Sequence, residues 1–140
     1  PDKRVELVRG QLVVREPPGW YHGEVTAQVC AALYAHLTSE QARHGWSAPR
    51  GRVAAGDPGF ILARGPDTVR GPDVAYVSRE RHPGPMPAGF PEMAPDLAIE
   101  VRSPNDRPGE VLARVGDWLD AGARLVWVID LPRETAAVYR

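Results

Sequence analysis

The stretch that decides the fold is Asp96-Leu97-Ala98-Ile99-Glu100-Val101-Arg102-Ser103-Pro104-Asn105-Asp106. Side chains alternate between two faces along residues 97–102, and the apolar face consists of Leu97, Ile99 and Val101. The opposite face carries a carboxylate, Glu100, near its middle. The stretch therefore predicts a strand that is apolar on one face and presents an acid on the other.

A second carboxylate, Asp73, directly precedes another short apolar run at residues 74–77. Two carboxylates on neighbouring strands can share a hard cation such as Mg²⁺, which prefers oxygen ligands and keeps several waters. The sequence thus predicts a metal site formed by Asp73 and Glu100.

Length and composition indicate one soluble globular domain over residues 1–140, with 43% hydrophobic and 25% charged residues. No run approaches the roughly 20 apolar residues of a membrane helix, and no signal peptide is visible, so we expect a cytoplasmic protein. The single cysteine, Cys30, excludes an internal disulfide, and no Cys/His spacing is typical of zinc sites. A net charge of −1 argues against a generic nucleic-acid-binding protein.

The first half of the chain reads as a hairpin over residues 6–14, then an amphipathic helix from about Tyr21 to His44. Strands are predicted at 46–55 and 60–63, and the proline-rich residues 81–95 are predicted to form a structured loop or a mobile flap.

Asp106 is a candidate N-cap for a second helix over residues 107–121, and an apolar strand follows at 125–129. Strand, helix and strand together predict a βαβ unit with parallel strands. Another strand begins at residue 136 without an obvious cap, so we expect a domain truncated at its C-terminal end. The fold class is α/β, a mixed sheet flanked by an N-terminal helix and a crossover helix.

Several residues in apolar patterns are predicted to pack in the core. They are Cys30, His36, Trp46, Trp118 and Trp127.

Six short motifs occur in an order that resembles a known family. They are Glu6-Leu7-Val8-Arg9-Gly10, His22 at the start of the first helix, Gly59-Phe60-Ile61-Leu62, Arg70-Gly71-Pro72-Asp73-Val74-Ala75, Glu100-Val101-Arg102-Ser103-Pro104-Asn105-Asp106, and Gly122-Ala123-Arg124-Leu125-Val126-Trp127-Val128-Ile129-Asp130. In this order they resemble the Uma2 family of restriction endonuclease-like proteins, a branch of the PD-(D/E)XK nuclease superfamily.

The resemblance implies a restriction-endonuclease-like fold and metal-dependent cleavage of phosphodiester bonds, with DNA as the substrate, in a prokaryotic cytoplasmic protein. It makes Asp73, Glu100 and the backbone carbonyl of Val101 ligands of Mg²⁺ or Mn²⁺. Glu24 in the first helix would add an outer or second-metal carboxylate. Such a cation would polarise the scissile phosphate and lower the pKa of an attacking water.

The chain departs from the superfamily pattern at its lysine. Arg102 stands two residues after the acid, where the superfamily has lysine, and Arg114 stands near the lysine position of Uma2-like sequences. Arginine can hold a phosphate with two hydrogen bonds, but its pKa stays above about 12, so it does not serve as a base.

Three hypotheses about function stay open. The first is a nuclease in which Arg102 or Arg114 holds the phosphate, and the second is a catalytically inactive nuclease-fold module that binds nucleic acid or a protein partner. The third is a homodimer that pairs through an exposed strand edge.

Each candidate site residue also has a structural interpretation. Arg114 follows Glu110 by four residues, the spacing of an exposed ion pair on a helix. Arg102 shares a strand face with Glu100 and would serve as its salt-bridge partner. Asp73 suits a turn before a strand, and Glu100 suits the solvated face of a half-buried strand.

Two residues of the first helix have the same ambiguity. Glu24 suits a helix surface as well as a metal site. His22 suits the start of the helix as well as the role of general base.

Overall fold

The structure is a computed structural model, and it describes residues 3–140. This part of the chain contains nine strands and two helices. In order they are β1 (Arg4–Val8), β2 (Gln11–Arg15), α1 (Trp20–His44), β3 (Gly51–Ala55), β4 (Phe60–Ala63), β5 (Thr68–Arg70), β6 (Val74–Ser78), β7 (Leu97–Arg102), α2 (Pro108–Asp120), β8 (Leu125–Asp130) and β9 (Thr135–Tyr139).

Nine described strands form two sheets, with the orders β3-β6-β7-β8-β9 and β2-β1-β5-β4. In the five-stranded sheet, β7 and β8 are parallel and α2 crosses between them, while the other neighbours are antiparallel. This confirms the predicted α/β class, the βαβ unit and the crossover helix. The separate four-stranded sheet and the three-residue strand β5 were not predicted, since so short a strand shows no clear alternation.

The five-stranded sheet is covered by a helix on each face. On one face Val74, Leu97 and Ile99 pack against Val29 and Leu33 of α1. On the other face, α2 contributes the buried side chains Val111, Val115 and Trp118, which pack with Ala98 and Val126. Strand β7 is therefore buried on both sides, and the expectation of a solvated face around Glu100 is wrong because α2 lies over it.

The hairpin of β1 and β2 forms at the predicted turn, where Arg9 and Gly10 both adopt positive φ angles. Its sheet is attached to the rest of the protein by buried charges. Arg70 donates to Glu6 over 2.9 Å and to Asp117 of α2 over 2.8 Å, and the N–H of Gly71 donates to Glu6. These bonds fix the backbone just before Asp73.

Helix α1 ends at Gly45, which adopts a left-handed φ of 66° as a C-cap. Cys30 packs on its inner face as predicted, but His36 is exposed, so its predicted place in the core is wrong.

Of the three tryptophans predicted in the core, Trp118 is completely buried and Trp127 is half-buried against the α1 side of the sheet. Trp46 is not a core residue. It stacks on His44 and lies under the guanidinium of Arg50, at the end of α1.

The strand predicted at 46–55 starts only at Gly51. The proline-rich segment after β6 has no helix or strand, and it is tied down by Arg52, which donates to the carbonyls of His82 and Gly84. Neither helix within residues 3–140 is long and apolar enough to cross a membrane.

Candidate active site

Asp73, which directly precedes β6, lies next to Glu100 of β7. Val74 pairs with Ile99 in this antiparallel register, so the preceding Asp73 faces the following Glu100. The Asp73 Oδ2 also accepts the backbone N–H of Val101 over 2.6 Å, which joins the two strands at their ends. Only 3% of Asp73 and 1% of Glu100 is exposed. The structure thus brings together the two predicted carboxylates, and it does so in the interior.

Two basic side chains contact the other oxygen of Asp73. Arg4 Nη2 and His22 Nε2 each lie 3.3 Å from Asp73 Oδ1. Burial opposes ionisation of Asp73, but the hydrogen bond and charge of His22, the N–H of Val101 and the charge of Arg4 hold its pKa below the usual value. Conversely, the pKa of His22 is raised chiefly by its hydrogen bond with Asp73.

Arg4 also pairs with Asp57, which lies in the turn before β4. Burial raises the pKa of Asp57, against the opposing charge of Arg4. The first strand of the chain therefore places one guanidinium between two carboxylates that are far away in sequence.

Glu100 is held by two side chains of α2. Trp118 donates its indole N–H to Oε1 over 2.8 Å, and Arg114 Nε lies 3.3 Å from Oε2. Burial raises the pKa of Glu100 to about 7, since the opposing charge of Arg114 only partly offsets desolvation and Asp73 adds repulsion. Glu100 therefore titrates near neutral pH.

Arg114 is buried between two carboxylates. Besides Glu100, it faces Asp106 with Nη2 3.5 Å from Oδ2, and only 4% of the residue is exposed. It does not form the surface pair with Glu110, because α2 turns its Arg114 face toward the sheet. Of the two positions considered for the missing lysine, this is the one in contact with Glu100.

Asp106 completes the site from the segment between β7 and α2. Its carboxylate accepts the N–H of Ser103 over 2.8 Å and a bond from Arg15 Nη2 over 2.9 Å. Burial opposes its ionisation, but these donors and the charge of Arg114 hold its pKa below the usual value. Asp106 is not the N-cap of α2, since that position is Arg107 and no side chain caps the helix.

Arg102 is not the partner of Glu100. It pairs across the parallel register with Asp130 of β8, with Nη1 2.7 Å from Oδ2. The carboxylate on the neighbouring strand is nearer than the one on its own strand, because residues i and i+2 of a strand lie about 7 Å apart. Glu24 is exposed on α1. Since α1 turns His22 toward Asp73, Glu24 two residues later points away from the site.

Sequence reasoning missed Arg4, Arg15 and Asp57 as members of this cluster. Asp106 lies within one of the six motifs, but only a capping role was predicted for it. Arg4 and Arg15 lie on the hairpin with no local signal, because they reach Asp73 and Asp106 across 69 and 91 residues of sequence.

Buried polar atoms without a hydrogen-bond partner are concentrated at this site. Within residues 3–140 five such side-chain atoms occur, and all belong to this cluster: Arg15 Nη1, His22 Nδ1, Glu100 Oε2, Arg114 Nε and Arg114 Nη2. Native structures leave few such groups without a functional reason. In the same described range, no set of three or more His, Cys, Asp or Glu side chains is arranged to hold a metal ion.

Comparisons with known proteins agree with this fold. The model of the Uma2 family, described as "Putative restriction endonuclease", matches residues 1–140. A crystal structure described as a "putative nuclease belonging to DUF820" from Anabaena variabilis is similar in fold, with a TM-score of 0.79 at 20% sequence identity. The similarity covers 97% of this chain and 71% of that chain. No curated protein matches the sequence.

Proposed function

This chain belongs to the Uma2 family, and from that membership and the geometry of its buried carboxylates we propose that it is a metal-dependent nuclease. The proposed reaction is hydrolysis of phosphodiester bonds, with DNA as the substrate and Mg²⁺ or Mn²⁺ as the cofactor. The observation that carries the proposal is the pair Asp73 and Glu100, buried side by side on neighbouring strands. Acids buried in this way, with shifted pKa values, are typical of functional sites.

The donor chemistry of the site fits a small hard cation. Asp73, Glu100 and the backbone carbonyl of Val101 offer oxygen ligands, and Glu100 Oε2 is a buried acceptor without a hydrogen bond. Because fewer than three acidic or imidazole groups converge within residues 3–140, the ion would complete its shell with water and substrate phosphate, as Mg²⁺ often does. When bound, such an ion lowers the pKa of a water and offsets charge on the phosphate.

The chain's own residues keep these ligands oriented. The Val101 N–H fixes Asp73, while Trp118 donates to Glu100 Oε1 and the charge of Arg114 faces Glu100 Oε2. We propose that Arg114, which is enclosed, acts through Glu100. We propose that Arg102, whose side chain is 22% exposed, contacts the phosphate directly.

The test is cleavage of supercoiled, linear and single-stranded DNA with Mg²⁺ or Mn²⁺, alongside calorimetric titration of Mn²⁺. We expect Asp73→Ala and Glu100→Gln to lower both metal affinity and cleavage at least about hundredfold. The control is Asp120→Asn, an exposed acid of α2. A parent protein that cleaves no DNA form, together with an Asp73→Ala variant that binds Mn²⁺ like the parent, overturns the proposal.

A second candidate is the inactive module that binds nucleic acid. It is favoured by the pairing of both carboxylates with basic side chains of the chain, namely Arg4 and His22 on Asp73 and Arg114 on Glu100. It also agrees with the lack of a lysine at the site. Cleavage that requires added metal and is abolished in Glu100→Gln excludes this candidate.

The homodimer stays a prediction. Its best support is the edge strand β2, where Leu12 is 73% exposed and Val14 53% exposed. Light scattering across a range of protein concentrations tests it, and a mass that stays monomeric throughout contradicts it.

A further inference from the structure

Arg15 has a free hydrogen-bonding edge beside the candidate active site. Its Nη2 donates to Asp106 Oδ1 over 2.9 Å, while its Nη1 is buried and has no partner. An unpaired guanidinium N–H in the interior costs free energy, since water no longer satisfies it. Asp106 thus holds the guanidinium in place with one donor unused.

Arg15 lines a cavity of about 220 Å³. We call this cavity the Arg15 pocket, and its less exposed lining residues, which form its inner wall, also include Arg4, His22 and Ser103. Two of these residues, Arg4 and His22, contact the Asp73 carboxylate directly. The pocket therefore adjoins the proposed metal ligands, at the end of the strands where Asp73 and Glu100 lie.

The buried atoms of the site that have no hydrogen-bond partner favour a ligand rich in hydrogen-bond acceptors. Four of the five are nitrogens, and one is an oxygen. Arg114 and Glu100 face each other as an ion pair. Arg15 Nη1 and His22 Nδ1 have no hydrogen-bond partner, although another nitrogen of each side chain contacts a carboxylate. Both of these residues line the pocket. A guanidinium offers only hydrogen-bond donors, so its partner must be an acceptor. Two oxygens of a phosphate match the spacing of two of its N–H groups.

The rim of the pocket limits what else can bind there. Glu16 and Glu110 are exposed and line the same cavity. Their charges disfavour an extended polyanion across the rim, so the attraction for an anion is confined to the inner wall. A single phosphate group therefore suits this pocket better than an extended polyanion does.

We infer that the Arg15 pocket binds one phosphate of a nucleic-acid backbone, next to the phosphate that is cleaved, with the Arg15 guanidinium as the donor. The inference rests on the proposed function and deepens it, because it identifies a residue that positions the strand. Arg15 is then a substrate-binding residue whose removal weakens binding more than the chemical step.

Binding is measured separately from cleavage, by fluorescence anisotropy of a short labelled single-stranded DNA in EDTA across a range of salt concentrations. We expect Arg15→Gln to bind about tenfold more weakly than the parent. The slope of log affinity against log salt should shrink by about 0.7, the value for one phosphate contact on a single strand. A purely structural role would leave that slope unchanged.

Two further variants make the comparison specific. Arg15→Lys keeps the charge and the contact with Asp106 but loses the fork, so it should keep the salt slope and bind with intermediate affinity. Arg15→Lys also becomes the test variant if circular dichroism shows that Arg15→Gln fails to fold. Arg9→Gln removes an arginine that is 70% exposed at the tip of the same hairpin, and it should bind like the parent.

Cleavage assays on the same variants separate the two proposals. If the parent cleaves DNA and Arg15→Gln has the same KM and the same salt slope as the parent, the inference is overturned and the proposed function stands. If the parent binds without cleaving and Arg15→Gln weakens binding, the phosphate site is supported and the nuclease is overturned. A parent that neither binds nor cleaves overturns both.

Discussion

Trp118 donates its indole N–H to Glu100 Oε1 over 2.8 Å, although the two residues lie on different elements and are completely enclosed. The crossover helix therefore supplies both the donor and, through Arg114, the opposing charge that control this carboxylate. The same indole packs edge-on against Phe60. Packing of α2 and the ionisation of Glu100 are thus coupled.

Replacing Trp118 by Phe should test this coupling. The ring remains but the donor is lost, so Glu100 is left with a buried, unsatisfied oxygen, which costs about 1–3 kcal/mol. Because the bond favours the ionised form, the pKa of Glu100 should rise further. Urea denaturation measures the first effect and the pH profile of metal binding the second. Trp127→Phe, on the other sheet face, should leave that profile unchanged.

Replacing Glu100 by Gln should change how stability depends on pH. The folded pKa of about 7 exceeds the usual 4.5, so between these values the folded state holds more protons than the unfolded chain. The contribution of Glu100 to the free energy of unfolding therefore falls as pH rises from about 4.5 to 7. Over this pH window the free energy of unfolding of the parent should fall by at most about 3 kcal/mol relative to that of Glu100→Gln.

Denaturation at a series of pH values measures this difference. The shifts of Asp73 and Asp106 have the opposite sign, so their stabilisation is present near neutrality and lost in acid in both proteins. Asp120→Asn, an exposed change on α2, should follow the parent. A constant difference between parent and Glu100→Gln from pH 4.5 to 7 contradicts the raised pKa.

Replacing Arg114 by Met should be costly in a pH-dependent way. At pH 8 it leaves the buried Glu100 without its cation, so the carboxyl must stay charged and unpaired or take up a proton, and the loss of stability should reach up to about 3–5 kcal/mol. At pH 5 the cost should be smaller, because Glu100 is then protonated. Thermal unfolding at the two pH values measures it, with the exposed Arg107→Met as the control. A loss below about 0.5 kcal/mol at both values is what a surface pair with Glu110 would give.

Replacing Asp73 by Asn should lower the pKa of His22, since the hydrogen bond from His22 to Asp73 is the main cause of its raised value. Titration of the imidazole resonances by NMR measures the change directly. Asp67→Asn, in the turn before β5, is the matched control and should leave His22 unaffected. An unchanged His22 titration in Asp73→Asn would mean that the two side chains do not interact.

Much of the fold could be predicted because its signals are local. The alternation in β7, the cap at Gly45 and the strand–helix–strand order from β7 to β8 each depend on neighbouring residues. The second sheet could not be predicted, since β5 has three residues and pairs with a strand about sixty positions away. His36 was placed in the core for a related reason: periodicity gives a face of the helix but not how far the sheet extends beneath it.

The pair Asp73 and Glu100 could be inferred from motif order, and the role of each stays a prediction. What the sequence left open was the protonation of Glu100, because that depends on burial under α2. It also left open the partners of the two arginines. Arg114 was assigned equally to a surface pair and to the site, and only the rotation of α2 about its axis brings it to Glu100.

The sequence by itself determined the α/β class, the parallel pair β7 and β8 and the family, since these depend on periodicity and on the order of motifs along the chain. Only the tertiary structure decided that Arg4, Arg15 and Asp106 join the two acids, and that Glu100 titrates near neutrality. The physical reason is that charge interactions and desolvation depend on distance in space and on exclusion of water, and neither quantity is a property of a local stretch of sequence.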